Sequence, residues 1–369
     1  MGEPSIKDLE IQATSGDLAA QLRVGRALLE EGQTEQGRDW LRRAAGSGST
    51  EAKLALGERL LSQEPYDVPS GYRWAQAAAA DGSGDAEHLL AIATAEGLGA
   101  RQDWEAALGH LERAAELRNG RARAELAALA GDWTPPEAYN WSASSRDWKV
   151  LRRAVDVPAW LRSPPAQLVS PAPRIGVVEK FASPELCRWL IERARLGLVR
   201  AQTIDPKTGR PNYEETARTN SCCAFDVAHM DMVLVMLRAR IARLTQLPIL
   251  GFEDSQVLHY DPGEEFKPHF DFLDTAQPGH AAAVASGGQR VMTFLIYLNE
   301  GYDGGETAFP QLGWRYKGRT GDALFFYNAN HDGQPDRRTL HAGTATTRGE
   351  KYLFSQWVRF RVGHRPTGQ

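Results

Sequence analysis

The chain has 369 residues, with 43 basic and 47 acidic side chains and a formal balance of −4. At roughly 150 residues per domain this length predicts two or three domains, and 42% apolar with 24% charged residues excludes a disordered or fibrous chain. The longest apolar run, Met232–Leu237, falls far short of the roughly 18 residues a membrane span needs. An acidic balance without a basic run points away from nucleic acid as a partner. Three cysteines cannot build a disulfide framework, and no basic-then-apolar leader opens the sequence. The expected setting is reducing and cytoplasmic, with neither membrane nor nucleic acid involved.

The first third repeats itself. Residues 1–130 hold 27 of the 51 alanines and none of the 12 phenylalanines, a composition that favours tightly packed helices. A small-residue turn opens a helix at Gly16-Asp-Leu-Ala-Ala20, at Gly48-Ser-Thr-Glu-Ala52, at Gly84-Asp-Ala86 and at Gly120-Arg-Ala122, so the anchoring alanines stand 32, 34 and 36 residues apart. Between them a second helix carries Trp40…Ala44-Ala45, Trp74…Ala78-Ala79 and His110…Ala114-Ala115. Helix pairs repeating at this period predict an α-solenoid. The pattern Ala-x-x-x-Leu-Gly followed by Trp-x-x-x-Ala-Ala resembles Sel1-like repeats, relatives of the tetratricopeptide repeat, over about 16–131. The resemblance implies a surface for binding other chains.

Residues 132–170, rich in Trp, Ser and Pro, read as a connector with a short helix around Asp147–Arg153. The third segment, 171–369, opens with a strand-like Arg174-Ile-Gly-Val-Val. Next come a helix capped by Ser183 with Pro184 in its first turn and an amphipathic helix over Met232–Leu244. Strands are then expected at Ser255–Tyr260, Val291–Leu298, Asp322–Tyr327 and Lys351–Arg361. Strands spaced in this way without helices between them predict an antiparallel barrel or double-sheet jelly roll.

Candidate chemistry starts from His-x-Asp/Glu pairs. His110/Glu112 lies inside a repeat helix, where residues two apart diverge. His229/Asp231 sits at a helix start, where Asp231 reads as a first-turn charge. His269/Asp271 follows Pro268 in an extended aromatic stretch, and alternation puts both on one face. Among the later histidines, His280, His331 and His364 fall in loop or tail sequence, whereas His341 follows a Gly/Asp/Pro turn. Two imidazoles and one carboxylate are the facial triad of non-haem Fe(II) oxygenases. Lys351, in a strand of aromatic and aliphatic residues, needs an anionic partner if it points inward.

The series Gln256-Val-Leu-His-Tyr260, Phe266-Lys-Pro-His-Phe-Asp-Phe272, Gly288–Leu298, Gly304-Gly-Glu-Thr-Ala-Phe-Pro310, Gly321–Phe326, His341-Ala-Gly343, Lys351 and Trp357 resembles the catalytic domain of the prolyl 4-hydroxylase family. These are Fe(II)- and 2-oxoglutarate-dependent dioxygenases on a double-stranded β-helix. The resemblance implies His269, Asp271 and His341 as iron ligands, Lys351 as the partner of the distal 2-oxoglutarate carboxylate, and Tyr260 and Thr307 as hydrogen-bonding partners of that co-substrate. Arg290 and Trp357 match positions that contact the peptide, with Phe266 and Gln256 on the same side. Phe266 stands where the collagen-type and plant-type enzymes usually have Tyr. The resemblance further implies O2 as oxidant, ascorbate as reductant, and a mobile lid over Ala201–Thr219. The expected architecture is multidomain α + β, a Sel1-like solenoid followed by a jelly-roll dioxygenase domain. The expected reaction is C–H hydroxylation of a prolyl residue in a protein or peptide docked on the repeats, with succinate and CO2 released. The alternatives are hydroxylation of a free amino acid or small biosynthetic intermediate, and a non-catalytic interaction protein.

Overall fold

The computed structural model describes residues 6–62, 66–133, 147–214, 216–226, 229–330 and 332–360. Most of the expected Trp/Ser/Pro connector's middle, together with His331 and His364, lies outside them. The chain divides into two compact units, Met1–Val157 with Val227–Met236, and Pro158–Asp226 with Leu237–Gln369.

The first unit contains the helix pairs expected from the repeat, beginning with Leu18–Glu30 and Thr34–Gly46, then Thr50–Ser62 and Val68–Ala80. Gly84–Glu96 pairs with Trp104–Glu116, and Gly120–Leu129 follows. The repeating alanine has a local cause. In each repeat a short polar side chain caps the helix by accepting from the backbone N–H of that alanine: Asp17 from Ala20, Ser49 from Ala52, Ser83 from Ala86 and Asn119 from Ala122. All four alanines are buried. Helix pairs also approach through glycine: a Cβ on Gly25 would press on Leu41, and one on Gly57 would press on the backbone of Gly71 and Ala75. The expected short helix is present as Trp148–Ala154, capped by Asp147.

The second unit is built on two antiparallel sheets. The larger has eight strands, in the order Gln167–Pro171, Arg174–Val178, Ala323–Tyr327, Gln289–Tyr297, Lys351–Phe360, Ser255–Tyr260, Ser221–Phe225 and Val199–Arg200. The smaller runs Trp314–Tyr316, Thr307–Phe309, His341–Gly343, Phe266–His269. Ile175, Tyr260, Leu295, Tyr297, Leu324, Phe326 and Leu353 from the larger sheet pack with Phe309 from the smaller into one core, the arrangement of a double-sheet jelly roll. Helix Pro184–Arg195 starts as expected, with Ser183 accepting from Leu186 N–H.

Three expectations change. Gln167–Pro171, at the end of the expected connector, is an edge strand of the larger sheet. The helix Met232–Thr245 is not amphipathic at its start: Met232–Leu237 is buried on every face, as an all-apolar turn and a half must be. A helix, Pro278–Gly287, interrupts the run of strands and carries His280, expected in a loop. Its signals were local ones, Pro278 in the first turn and Gly288 at φ +86 ending it. Among the described residues no helix is long and apolar enough to cross a membrane.

Candidate functional site

Sheet register brings the first two donors together. His269 closes the strand Phe266–His269, His341 opens His341–Gly343, and the two are paired across the smaller sheet. Their rings lie 4.3 Å apart. Asp271 stands beyond the strand, in a bend, so simple strand alternation is not what aims it. It nevertheless reaches both rings: Oδ1 lies 3.6 Å from His269 Nε2 and Oδ2 lies 3.3 Å from His341 Nε2.

Each imidazole is oriented by the carbonyl two residues before it. His269 Nδ1 lies 2.8 Å from the Lys267 carbonyl and His341 Nδ1 lies 2.9 Å from that of Thr339. A carbonyl only accepts, so both Nδ1 atoms carry a proton, which leaves Nε2 of each ring, on the side of Asp271, as the atom able to ligate a metal. The carboxylate is held in turn by Thr293, whose hydroxyl donates to Oδ2 at 2.6 Å and accepts from Asn328 Nδ2 at 2.9 Å. Thr293 and Asn328 were not foreseen; their only signal was that they are polar residues, Thr293 within an aromatic strand and Asn328 directly after one. Burial alone would raise the Asp271 carboxyl, but His341 and His269 outweigh it and hold it well below the usual range. Burial pushes His269 down, with His341 adding to the effect. Two imidazole lone pairs and a carboxylate converging on one point are a donor set suited to a first-row divalent metal with open positions.

The other expected residues take the following positions. Lys351 is 1% exposed, and its Nζ lies 4.8 Å from the centre of the Tyr260 ring, its partner in the sheet register. Gly305 makes room for it: at φ +68 only glycine is unstrained, and a Cβ there would press on Lys351 Cδ. Burial pushes the Lys351 ammonium from 10.5 down to about 7, opposed by the charge of Glu306. Among the described residues no carboxylate lies within ion-pair distance of it. Thr307 is buried, and its hydroxyl is 2.8 Å from that of Tyr297. A small cavity of about 40 Å³ joins these groups, with Tyr260, Thr307, Lys351, His269, Asp271 and His341 in its wall. An anion with two ends, one on the metal donors and one on Lys351, satisfies both chemistries, so the residues present fit Fe(II) with 2-oxoglutarate.

His269, Asp271, Phe266, Arg218 and Trp357 also line a cleft of about 840 Å³, which Arg290 and Gln256 share. Phe266 stacks on the His269 ring at 3.4 Å, and the Arg218 guanidinium lies over the Phe266 ring, 4.8 Å from its centre. Arg218 is buried and donates to Asn220 and the Gln202 carbonyl. Arg290 stacks on Trp357 at 3.9 Å and makes a two-pronged ion pair with Glu253, at 2.6 and 2.7 Å. That carboxylate holds the guanidinium in place and offsets part of its charge. Arg359 shares the same carboxylate at 2.7 Å. Glu253 had no sequence signal.

The expected lid contains a hairpin, Thr203–Ile204 with Pro211–Asn212. Asp205 closes its turn by accepting from the N–H groups of Lys207 and Thr208. The hairpin is tied to helix Pro278–Gly287 by a bond from Gly279 N–H to the Pro206 carbonyl, 3.0 Å. The remaining pairs are structural. His110 bonds Glu87 at 2.6 Å, and Asp231 accepts from Leu234 N–H at 2.7 Å as a helix cap.

Comparison with known proteins agrees with this geometry. Residues 255–359 match the 2OG-Fe(II) oxygenase superfamily. Over 207 residues the chain is 34% identical to prolyl 4-hydroxylase 1 of Arabidopsis thaliana, spanning 52% of this chain and 71% of that protein. Over 213 residues it is 32% identical to probable prolyl 4-hydroxylase 10 of the same plant, with the same 52% and 71% coverage. Among solved structures it is similar to the viral collagen prolyl hydroxylase vCPH from Paramecium Bursaria Chlorella virus-1 (28% identity, 51% of this chain and 96% of that one, TM-score 0.40). It is also similar to a Sel1 repeat protein from Oxalobacter formigenes (28% identity, 32% of this chain and 93% of that one, TM-score 0.29). The chain belongs to the prolyl 4-hydroxylase family of 2OG-Fe(II) oxygenases and is a 2-oxoglutarate-dependent dioxygenase.

Proposed function

We propose that this enzyme hydroxylates a prolyl residue in a protein or peptide, releasing succinate and CO2, in a reducing cytoplasmic setting with ascorbate as reductant. The observation that carries the reading is one small cavity lined both by three metal donors and by a buried lysine with no carboxylate partner among the described residues, sharing His269, Asp271 and Trp357 with a cleft of about 840 Å³. His269, Asp271 and His341 hold Fe(II), and Lys351 with Tyr260 and Thr307 holds 2-oxoglutarate. The bound iron and co-substrate supply the oxidising power for C–H hydroxylation with O2. The chain's own contribution is placement. Thr339, Lys267 and Thr293 fix the ligand side chains, Phe266 covers the His269 ring, and Trp357 with the Arg290 held by Glu253 offers a flat, rigid wall to the substrate.

The names of the relatives support prolyl chemistry over hydroxylation of a free amino acid. The test is succinate formation and a one-oxygen mass gain with proline-containing peptides, against free proline at equal concentration. Stimulation by free proline alone would replace this reading with the small-molecule one. We assign the repeats to substrate docking through a cavity of about 470 Å³ in the helical unit, lined in part by Arg26, Asp85, His88 and Arg121. Arg26→Glu should raise KM for a full-length protein substrate and leave a short peptide unaffected.

A further inference from the structure

A fourth His-x-Asp spacing is His259-Tyr-Asp261, and like His269 its histidine lies in a strand. His259 lies in Ser255–Tyr260, and Asp261 follows directly. Alternation turns Tyr260 toward the core and puts His259 and Asp261 on the other face. The neighbouring strand starts at Lys351, paired with Tyr260, and the residue before it, Glu350, comes to the same place. His259 Nε2 lies 3.9 Å from Asp261 Oδ1 and 3.5 Å from Glu350 Oε2, and the three donor atoms fall within 4.8 Å of one another.

Two features separate this cluster from an ordinary acidic surface. His259 is 8% exposed, yet its Nε2 is buried without a hydrogen-bond partner, a costly arrangement unless something else occupies the lone pair. The surroundings also orient the donors. The Tyr352 ring packs on His259 at 4.6 Å, and its hydroxyl donates to Glu350 Oε2 at 3.3 Å, the kind of outer support that ligating groups have. In a tetrahedral zinc site with bonds near 2.0–2.1 Å, neighbouring donors stand roughly 3.3 Å apart. The His259–Glu350 distance is already close to that, and Asp261, 60% exposed, is free to close the rest.

We propose that His259, Asp261 and Glu350 form a second divalent-cation site, taking Zn2+ or a metal of similar ligand preference, one imidazole and two carboxylates with water completing the shell. An ion there pins the end of one strand to the start of the next, directly behind Tyr260 and Lys351.

The test is equilibrium dialysis of the full chain against Zn2+ alone, with metal measured by mass spectrometry. The wild-type chain should hold two equivalents. Asp261→Asn with Glu350→Gln should hold one, because both side chains are more than half exposed and their loss leaves the fold intact. His269→Ala with His341→Ala should also hold one, and Co2+ bound to that variant should show a visible absorption band that disappears on adding the Asp261→Asn and Glu350→Gln changes. Should the His269/His341 variant fail to fold, the stoichiometry of the Asp261/Glu350 variant decides. One equivalent in the wild type, or an undiminished two after Asp261→Asn and Glu350→Gln, overturns the proposal. Neither result depends on what the triad catalyses.

Discussion

Replacing Lys351 with Met separates two effects that normally travel together. Met keeps the length and volume of the lysine stem and removes the charge. With 2-oxoglutarate bound, the lost partner is that of a charge-assisted pair, about 1.5–3 kcal/mol, which corresponds to about 10- to 150-fold weaker binding. Without co-substrate the sign reverses. Burial pushes the ammonium from 10.5 to about 7, with no carboxylate in contact among the described residues, so the free protein bears a cost on the order of a few kcal/mol near neutral pH, and Lys351→Met relieves it. At about 2–4 °C per kcal/mol for a unit of this size, the metal-free variant should melt several degrees higher than the wild type. The pH dependence follows the same logic. A basic group whose folded value is depressed binds fewer protons in the native than in the unfolded chain between about 7 and 10.5, so the free protein gains stability as pH rises through that window. Co-substrate binding requires the protonated form, so affinity should fall above about pH 7, approaching tenfold per pH unit, and the Met variant should lose that slope. The assays are calorimetric titration of 2-oxoglutarate into Mn2+-loaded protein at several pH values and thermal melting of the metal-free protein. An unchanged affinity in Lys351→Met would refute the reasoning, because the lysine would then have another partner.

His269→Ala or His341→Ala should abolish 2-oxoglutarate turnover with the circular dichroism spectrum retained, whereas Asp271→Ala should leave residual metal binding; full activity in either His variant would remove the triad assignment. Thr293→Val deletes the 2.6 Å bond to Asp271 and should weaken metal affinity by about 10- to 100-fold, measured by competition with a chromogenic chelator. Gly279→Ala places a Cβ against the Gly209 backbone in the turn of the hairpin, so substrate KM should rise several-fold, with faster hydrogen exchange across 203–212; an unaltered exchange pattern would show that the hairpin is held elsewhere. Glu253→Gln leaves Arg290 and Arg359 without their shared counter-charge and should cost about 2–3 kcal/mol in denaturant unfolding, at the low end for a broken buried pair because Glu253 is partly exposed.

What the sequence determined by itself is local. The period of the first third was legible because each alanine sits three residues after a capping side chain, a relation confined to one helix start. Ser183-Pro184 announced its helix for the same reason, and the strands Ser255–Tyr260 and Lys351–Phe360 were legible from short-range composition. The helix Pro278–Gly287 carried equally local signals, so its absence from the expectation was a misreading and not a limit of the sequence. Tertiary structure decided what depends on register. His269 meets His341, and Lys351 meets Tyr260, because strands distant in the chain pair at one offset out of several. That offset is set by the packing of Tyr260, Tyr297, Phe309 and Phe326 between two sheets. Asp271 reaches the histidines from outside its strand, Thr293 supports it from Gln289–Tyr297, Asn328 supports Thr293 from just past Ala323–Tyr327, and Glu253, outside the strands, pairs with Arg290 and Arg359. The same holds for Glu350 beside His259. A side chain's neighbours across a sheet are fixed by the burial of residues on the opposite face, which no short stretch of sequence contains.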